Sequence, residues 1–226
     1  NVDAKIPAEF VTGAVGAEPF AEPIHGKAAH AGVAPDKGIS STLVASIAIA
    51  DVHREGWFGK VVRPEGHGTS NIGIFGGKNN VSAGDATNVV TDYVYLKGET
   101  RSPDAALAAA NTDAYRPALL RAAASAPDAG GEPARVEFTA KAQYPSFNIP
   151  DDAPAVVHAR RAAEALGMTP TTVFSNGGLD ANWLVQHGVP TITLGAGQHE
   201  IHTVNEYVDL AQYADGCRLA VMLDVL

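Results

Sequence analysis

Cysteine is almost missing from this chain of 226 residues: Cys217 stands alone. One thiol can close no intramolecular disulfide and build no cysteine-based zinc knuckle. It fits a reducing compartment, so a cytoplasmic location is expected. No apolar run is long enough to span a bilayer. Basic residues are few, 16 Lys+Arg against 25 Asp+Glu for a net charge of −9, and they form no cluster. No nucleic acid and no membrane are therefore expected as partners, and the thinly spread acidity serves solubility. Neither an initiator Met nor the apolar core of a signal peptide opens the chain, which starts Asn1-Val-Asp-Ala-Lys-Ile-Pro7. It reads as a piece of a longer protein.

What is present divides into segments of different pattern. Residues 20–142 contain a strand over Pro19–Lys27, an irregular small-residue loop, and apolar residues at helical spacing over Ile39–His53 with Ser40 and Ser41 as candidate caps. β-Branched and aromatic runs at Thr69–Phe75 and Asn88–Leu96 read as strands. The Ala/Leu-rich stretch Asp104–Ser125, opened by Ser102-Pro103, reads as one helix, and Arg135–Lys141 alternates like a strand. The order β-α-β-β-α-β is that of a ferredoxin-like unit. Residues 143–226 give helices at Ala153–Leu166, closed by Gly167, at Asp180–His187 and at Leu210–Val225, with strands at Thr171–Phe174 and Thr191–Leu194. Strands alternating with helices argue for a parallel α/β sheet. Two strands are too few for a covered sheet, so this part reads as incomplete and as exposing an apolar edge. Residues 1–19 read as the end of a preceding segment.

Chemistry concentrates in a few places. His202 follows the glycine-rich Leu194-Gly-Ala-Gly197, in a loop leaving the C-terminal edge of a strand, where open α/β sheets hold ligands. Glu206 is a candidate to support its imidazole, and His199 is a competitor that pairs with it as a weak metal hook; a surface-loop histidine is the plain alternative. Gly177-Gly178 ahead of Asp180 lets backbone N–H groups approach a ligand, or is simply a turn with Asp180 as a helix cap. His30, among small residues, can donate to a developing oxyanion or be a solvated loop histidine. Arg101 can clamp a carboxylate or pair with Glu99 or Asp104.

Six segments occur in order: Gly26-Lys-Ala-Ala-His-Ala-Gly-Val-Ala-Pro-Asp-Lys-Gly-Ile-Ser40, Asn71-Ile-Gly-Ile-Phe-Gly-Gly77, Thr87-Asn-Val-Val-Thr-Asp92, Gly98-Glu-Thr-Arg101, Gly177-Gly-Leu-Asp-Ala-Asn182 and His202-Thr-Val-Asn-Glu206. Together they resemble the di-zinc exopeptidase family of peptidase T, glutamate carboxypeptidase and aminoacylase, closest to its peptidase T-like branch. The resemblance implies a ferredoxin-like α+β lid joined to the C-terminal segment of a parallel-sheet α/β zinc-hydrolase domain. It implies two zinc ions in the complete enzyme, with other divalent metals accepted, a peptide or N-acyl amino acid substrate, and a homodimer through the lid. His202 falls on the family's C-terminal zinc ligand and Asp3 on an upstream zinc-binding aspartate. His30 falls on the lid histidine that polarises the scissile carbonyl. Asn88, Arg101, Gly177 and Gly178 fall on substrate-binding positions.

The departures are as informative. The family's His-x-Asp motif, bridging aspartate and Glu-Glu pair have no counterpart in this sequence. The first Glu of that pair is the general base acting on zinc-bound water. Residues 5–10 depart from the usual glycine-containing turn after Asp3, and Lys78–Asp85 looks like additional loop. The expectation is a metallopeptidase-like hydrolase represented by its C-terminal half, without turnover of its own; the alternative is a non-catalytic dimerisation or binding module derived from such a lid.

Overall fold

A computed structural model describes residues 1–78 and 81–226. In chain order the strands are β1 Val2–Ala4, β2 Glu9–Ala14, β3 Gly16–His25, β4 Gly59–Arg63, β5 Gly66–Gly76, β6 Tyr93–Ser102, β7 Arg135–Val136, β8 Thr139–Ala140, β9 Phe147–Asn148, β10 Thr171–Ser175, β11 Leu194–Gly195, β12 Gln198–His199 and β13 Tyr207–Val208. The helices are α1 Ser41–Arg54, α2 Ala105–Asp113, α3 Tyr115–Ser125, α4 Pro154–Ala165, α5 Asp180–Gln186 and α6 Leu210–Val225. The chain folds into two compact units: residues 17–143, and residues 1–16 together with 144–226.

The 17–143 unit is a sheet in the order β4-β5-β6-β3-β7, with β8 also paired to β3, carrying helices α1, α2 and α3. Alternation along β3 turns Phe20, Glu22 and Ile24 inward and Ala21, Pro23 and His25 outward. One apolar cluster gathers Ile24, Val44, Ala48, Leu96 and Leu119; a second gathers Phe20, Val52, Tyr115 and Ala118. The Ser40 hydroxyl caps α1 by accepting from the Leu43 N–H at 3.2 Å. Three expectations are corrected. The strand expected at Asn88–Leu96 begins at Tyr93 and runs to Ser102, so Arg101 lies inside it. The helix expected over Asp104–Ser125 is two helices, capped at Asp104 and broken at Ala114; Pro117 brings no N–H and its ring crowds the carbonyl four residues back. β4 forms a hairpin with β5 across Pro64-Glu65, a turn signal that sequence reading passed over. In the loop expected to be additional, Lys78–Asp85, residues 79 and 80 lie outside the described residues.

The other unit holds more strands than the two expected. β10 pairs parallel to β2, which pairs antiparallel to β9; β1 pairs parallel to β11. Val11 and Thr193 exchange backbone hydrogen bonds at 2.9 and 3.0 Å, joining β2 to the approach to β11. Two of these strands lie in residues 1–16, a stretch too short and too mixed in pattern to read as strand alone. α4 buries Val156, Ala159, Ala162 and Ala163 against Phe10, Ala14 and Phe147. It ends in a Schellman turn: Gly167 N–H bonds the Glu164 carbonyl, Met168 N–H the Ala163 carbonyl, and Gly167 takes φ +73°. α6 buries Leu219 alone, leaving Leu210, Tyr213, Val221 and Val225 exposed. None of the described helices is long and apolar enough to cross a membrane.

Candidate functional site

Within the unit formed by residues 1–16 and 144–226, β1 supplies Asp3. The register with β11 shifts between Val2 and Ala4, and an irregularity of this kind re-aims the side chain it carries. Past β1, Ala196 N–H bonds the Ala4 carbonyl at 2.8 Å and Gly197 N–H the Lys5 carbonyl at 2.7 Å. The loop leading to His202 is thereby pinned to the strand bearing Asp3. The electrostatics register the result. Partial burial pushes the pKa of Asp3 up, the nearby Asp180 carboxylate pushes it further, and His202 pulls it back. Asp180 and His202 are therefore both near enough to Asp3 to act on its charge.

His202 is exposed and takes φ +66°; Glu200, two residues earlier, takes φ +51°. Left-handed backbone costs a residue with a side chain about 1 kcal/mol or more and concentrates where function constrains a loop. Glu206 holds that turn: its carboxylate accepts the backbone N–H of His202 at 2.9 Å. Its contact is with the main chain, rather than the imidazole support expected of it. His199 has other contacts, with Nε2 2.7 Å from Gln212 Oε1 and its ring stacked on Tyr207 at 5.0 Å.

Gly177 and Gly178 follow β10. The Ser175 hydroxyl accepts the Gly177 N–H at 3.0 Å. At Gly178 an added Cβ would lie 2.3 Å from the Tyr144 ring, so the aromatic side chain sits where any other residue would be. Asp180 is the first residue of α5, and Leu179 holds the cap position expected of Asp180. Asn182, quoted in the motif but given no role from sequence, organises the turn. It is fully buried; its amide donates to the carbonyls of Val15 at 3.1 Å and Pro145 at 2.7 Å, and its oxygen accepts the Leu179 N–H at 2.8 Å. From sequence only its place at the end of Gly177-Gly-Leu-Asp-Ala-Asn182 marks it; its burial is a property of the fold.

The 17–143 unit carries the remaining residues. His30 and Asn88 are neighbours: His30 bridges Val89, and Ala31 N–H bonds the Asn88 carbonyl at 2.9 Å. His30 is exposed, and its Nδ1 accepts the Gly32 N–H at 3.1 Å. In the neutral ring the proton then resides on Nε2, which has no hydrogen-bond partner among the described residues. Gly26 allows the close pairing of this loop, because a Cβ there would lie 2.1 Å from the Ile39 carbonyl oxygen. Arg101 is not part of this group. It sits eight residues into β6, about 26 Å along the strand from Tyr93 at roughly 3.3 Å per residue, and pairs with Glu99 at 2.7 Å.

Among the described residues no three His, Cys, Asp or Glu side chains converge closely enough to hold a metal ion. Asp180 and His202 lie near Asp3 without forming a cage. A co-catalytic metal centre needs several protein ligands for each ion, so these residues do not by themselves fit a two-zinc site.

An α+β unit, residues 17–143, thus lies in sequence between the two stretches of an α/β unit that contains parallel strand pairs. This chain belongs to Peptidase family M20/M25/M40, which it matches over residues 6–223. An uncharacterized protein of Bacillus subtilis, YqjE, is 35% identical over 200 residues, 88% of this chain and 49% of that protein. Among solved structures, the aminopeptidase PepT of Bacillus cereus is 34% identical with a TM-score of 0.81, covering 98% of this chain and 55% of that one. A tripeptidase of Staphylococcus aureus is 28% identical with a TM-score of 0.82, covering 98% and 54%. The chain spans about half the length of each of these relatives.

Proposed function

We propose that this chain forms part of a metal-dependent hydrolase of peptide or N-acyl amide bonds, with Asp3 and His202 contributing ligands to its zinc centre. The observation that carries this is the approach of Asp3 and His202, from opposite ends of the chain, beside Asp180. Carboxylate and imidazole also suit manganese or cobalt. A bound divalent ion would supply Lewis acidity and an activated water; the general base for that water is not among the residues assigned. His30, protonated on Nε2, has the right donor to polarise a scissile carbonyl. Asn88 beside His30, or Arg101 at the far end of β6, would hold a polar end of the substrate, and Gly177 and Gly178 would line its path. The tripeptidase and aminopeptidase among the relatives favour a short peptide over an N-acyl amino acid. A homodimer through the lid is supported by β4, an edge strand with Val62 exposed. The exposed thiol of Cys217 supports a cytoplasmic location.

The test combines metal binding and turnover. The chain is expected to hydrolyse no tripeptide with added Zn²⁺ or Co²⁺, yet to bind Zn²⁺ more weakly after Asp3→Ala or His202→Ala. Turnover abolished by His202→Ala would show that the chain carries a complete site. Zinc affinity unchanged in both variants overturns the ligand assignment and leaves the dimerisation module as the better reading.

A further inference from the structure

Glu22 lies on β3 between Phe20 and Ile24, in the layer between sheet and helices, and is fully buried. Ile24 belongs to one apolar cluster of the 17–143 unit and Phe20 to the other, so the carboxyl group sits at their seam. Neither of its oxygens has a hydrogen-bond partner among the described residues. Among the described residues no cation bears on its charge; Arg116 of α3 is turned over the Phe138 ring instead. From α3 the facing titratable group is the Tyr115 hydroxyl, which is hydrogen-bonded to Ser70 of β5. α1 contributes Val52 and β6 contributes Val94 and Leu96 to this core. The other buried carboxylate of the unit, Asp128, is held by Lys27 at 2.8 Å. An isolated carboxylate in such a place is strongly disfavoured and keeps its proton instead.

We propose that Glu22 is a proton-loaded latch in the 17–143 unit: this core stays closed around the carboxyl while it is neutral and loosens when it ionises. Burial alone pushes its pKa up to about 8, whereas an exposed Glu titrates near 4.5. The sign follows from proton counting. Between about pH 4.5 and 8 the folded unit keeps a proton that the unfolded chain has lost, so stability falls as pH rises through that window. Below the window both states are protonated and above it both are ionised, so the contribution is flat on either side. The Tyr115 hydroxyl, pushed up to about 12, keeps its proton throughout. The unit is thus tightest in mild acid and carries its full penalty in mild alkali, a response independent of any metal.

The experiment uses the whole chain with Trp183→Phe, so that Trp57, packed beside Phe20 and Tyr115, reports on this unit alone. Urea unfolding is followed from pH 5 to 9. The folding constant of the Glu22-bearing protein is expected to fall roughly tenfold per pH unit between about pH 5 and 7.5, as one linked proton requires. Glu22→Gln and Glu22→Leu should lose that slope, and Glu22→Leu should be the more stable at pH 8. An equal slope in all three proteins overturns the latch. Should neither variant fold, carbon NMR titration of the Glu22 carboxyl decides: a midpoint near 8 supports the latch and one near 4.5 overturns it.

Discussion

The two units use strand length very differently. The 17–143 unit is built on strands of 10 and 11 residues, with both helical stretches started by a capping side chain, Ser40 or Asp104. Its core is closed by its own elements, so that Val44, Val52, Leu96 and Leu119 are essentially inaccessible. In the other unit no strand exceeds six residues, and its longest helix, α6, buries one side chain. Cohesion there comes from one apolar cluster around Phe10, Ala14 and Phe147, to which a few special contacts are added: the Asn182 amide, the Schellman turn after α4 and the close approach at Gly178. A long-stranded unit spreads its stability over many equivalent positions. A short-stranded one concentrates it, and concentrates its candidate ligands in the same loops.

That contrast can be broken at single residues. The largest effect is expected from Phe10→Ala, which empties the centre of the 1–16/144–226 core at a cost of about 3–5 kcal/mol. Calorimetry should show that unit's transition lowered or lost while the transition of the 17–143 unit stays in place; a shift of both equally would mean that the chain melts as one body. Asn182→Ala should cost about 3 kcal/mol, since it leaves two carbonyls and one N–H without their partner, and urea unfolding followed at Trp183 measures it. Gly178→Ala should cost about 2 kcal/mol through the clash with the Tyr144 ring. Tyr144→Ser in the same chain should relieve most of that cost, and additivity of the two changes in a double-mutant cycle would refute the contact. The smallest effect, about 1 kcal/mol, is expected from Ser40→Ala at the α1 cap, read by urea unfolding at Trp57.

Residues whose signal is periodic or local were legible before any coordinates. α1, α4 and α6 are found near their expected limits, because apolar spacing and cap residues are both written in the chain. The family was legible too, from six ordered segments. What escaped depends on distant partners. β1 and β2 are strands because β11 and β10 lie alongside them, and three to six residues of mixed character do not announce that by themselves. The break at Ala114 was readable from Pro117 but was outweighed by alanine-rich spacing. Asn182 is explained by the carbonyls of Val15 and Pro145, which only folding brings within reach. Glu22 reads from sequence as one more acidic residue in a strand; only the helices packed over it show that it is enclosed.

The left-handed turn at position 202 acts as a filter on replacement that is separate from metal chemistry. With φ at +66°, the main chain there tolerates histidine, asparagine, aspartate or glycine far better than valine, isoleucine or threonine. A variant chain under no demand for the imidazole would still have to keep the turn, and its substitutions at 202 should drift within that narrow group.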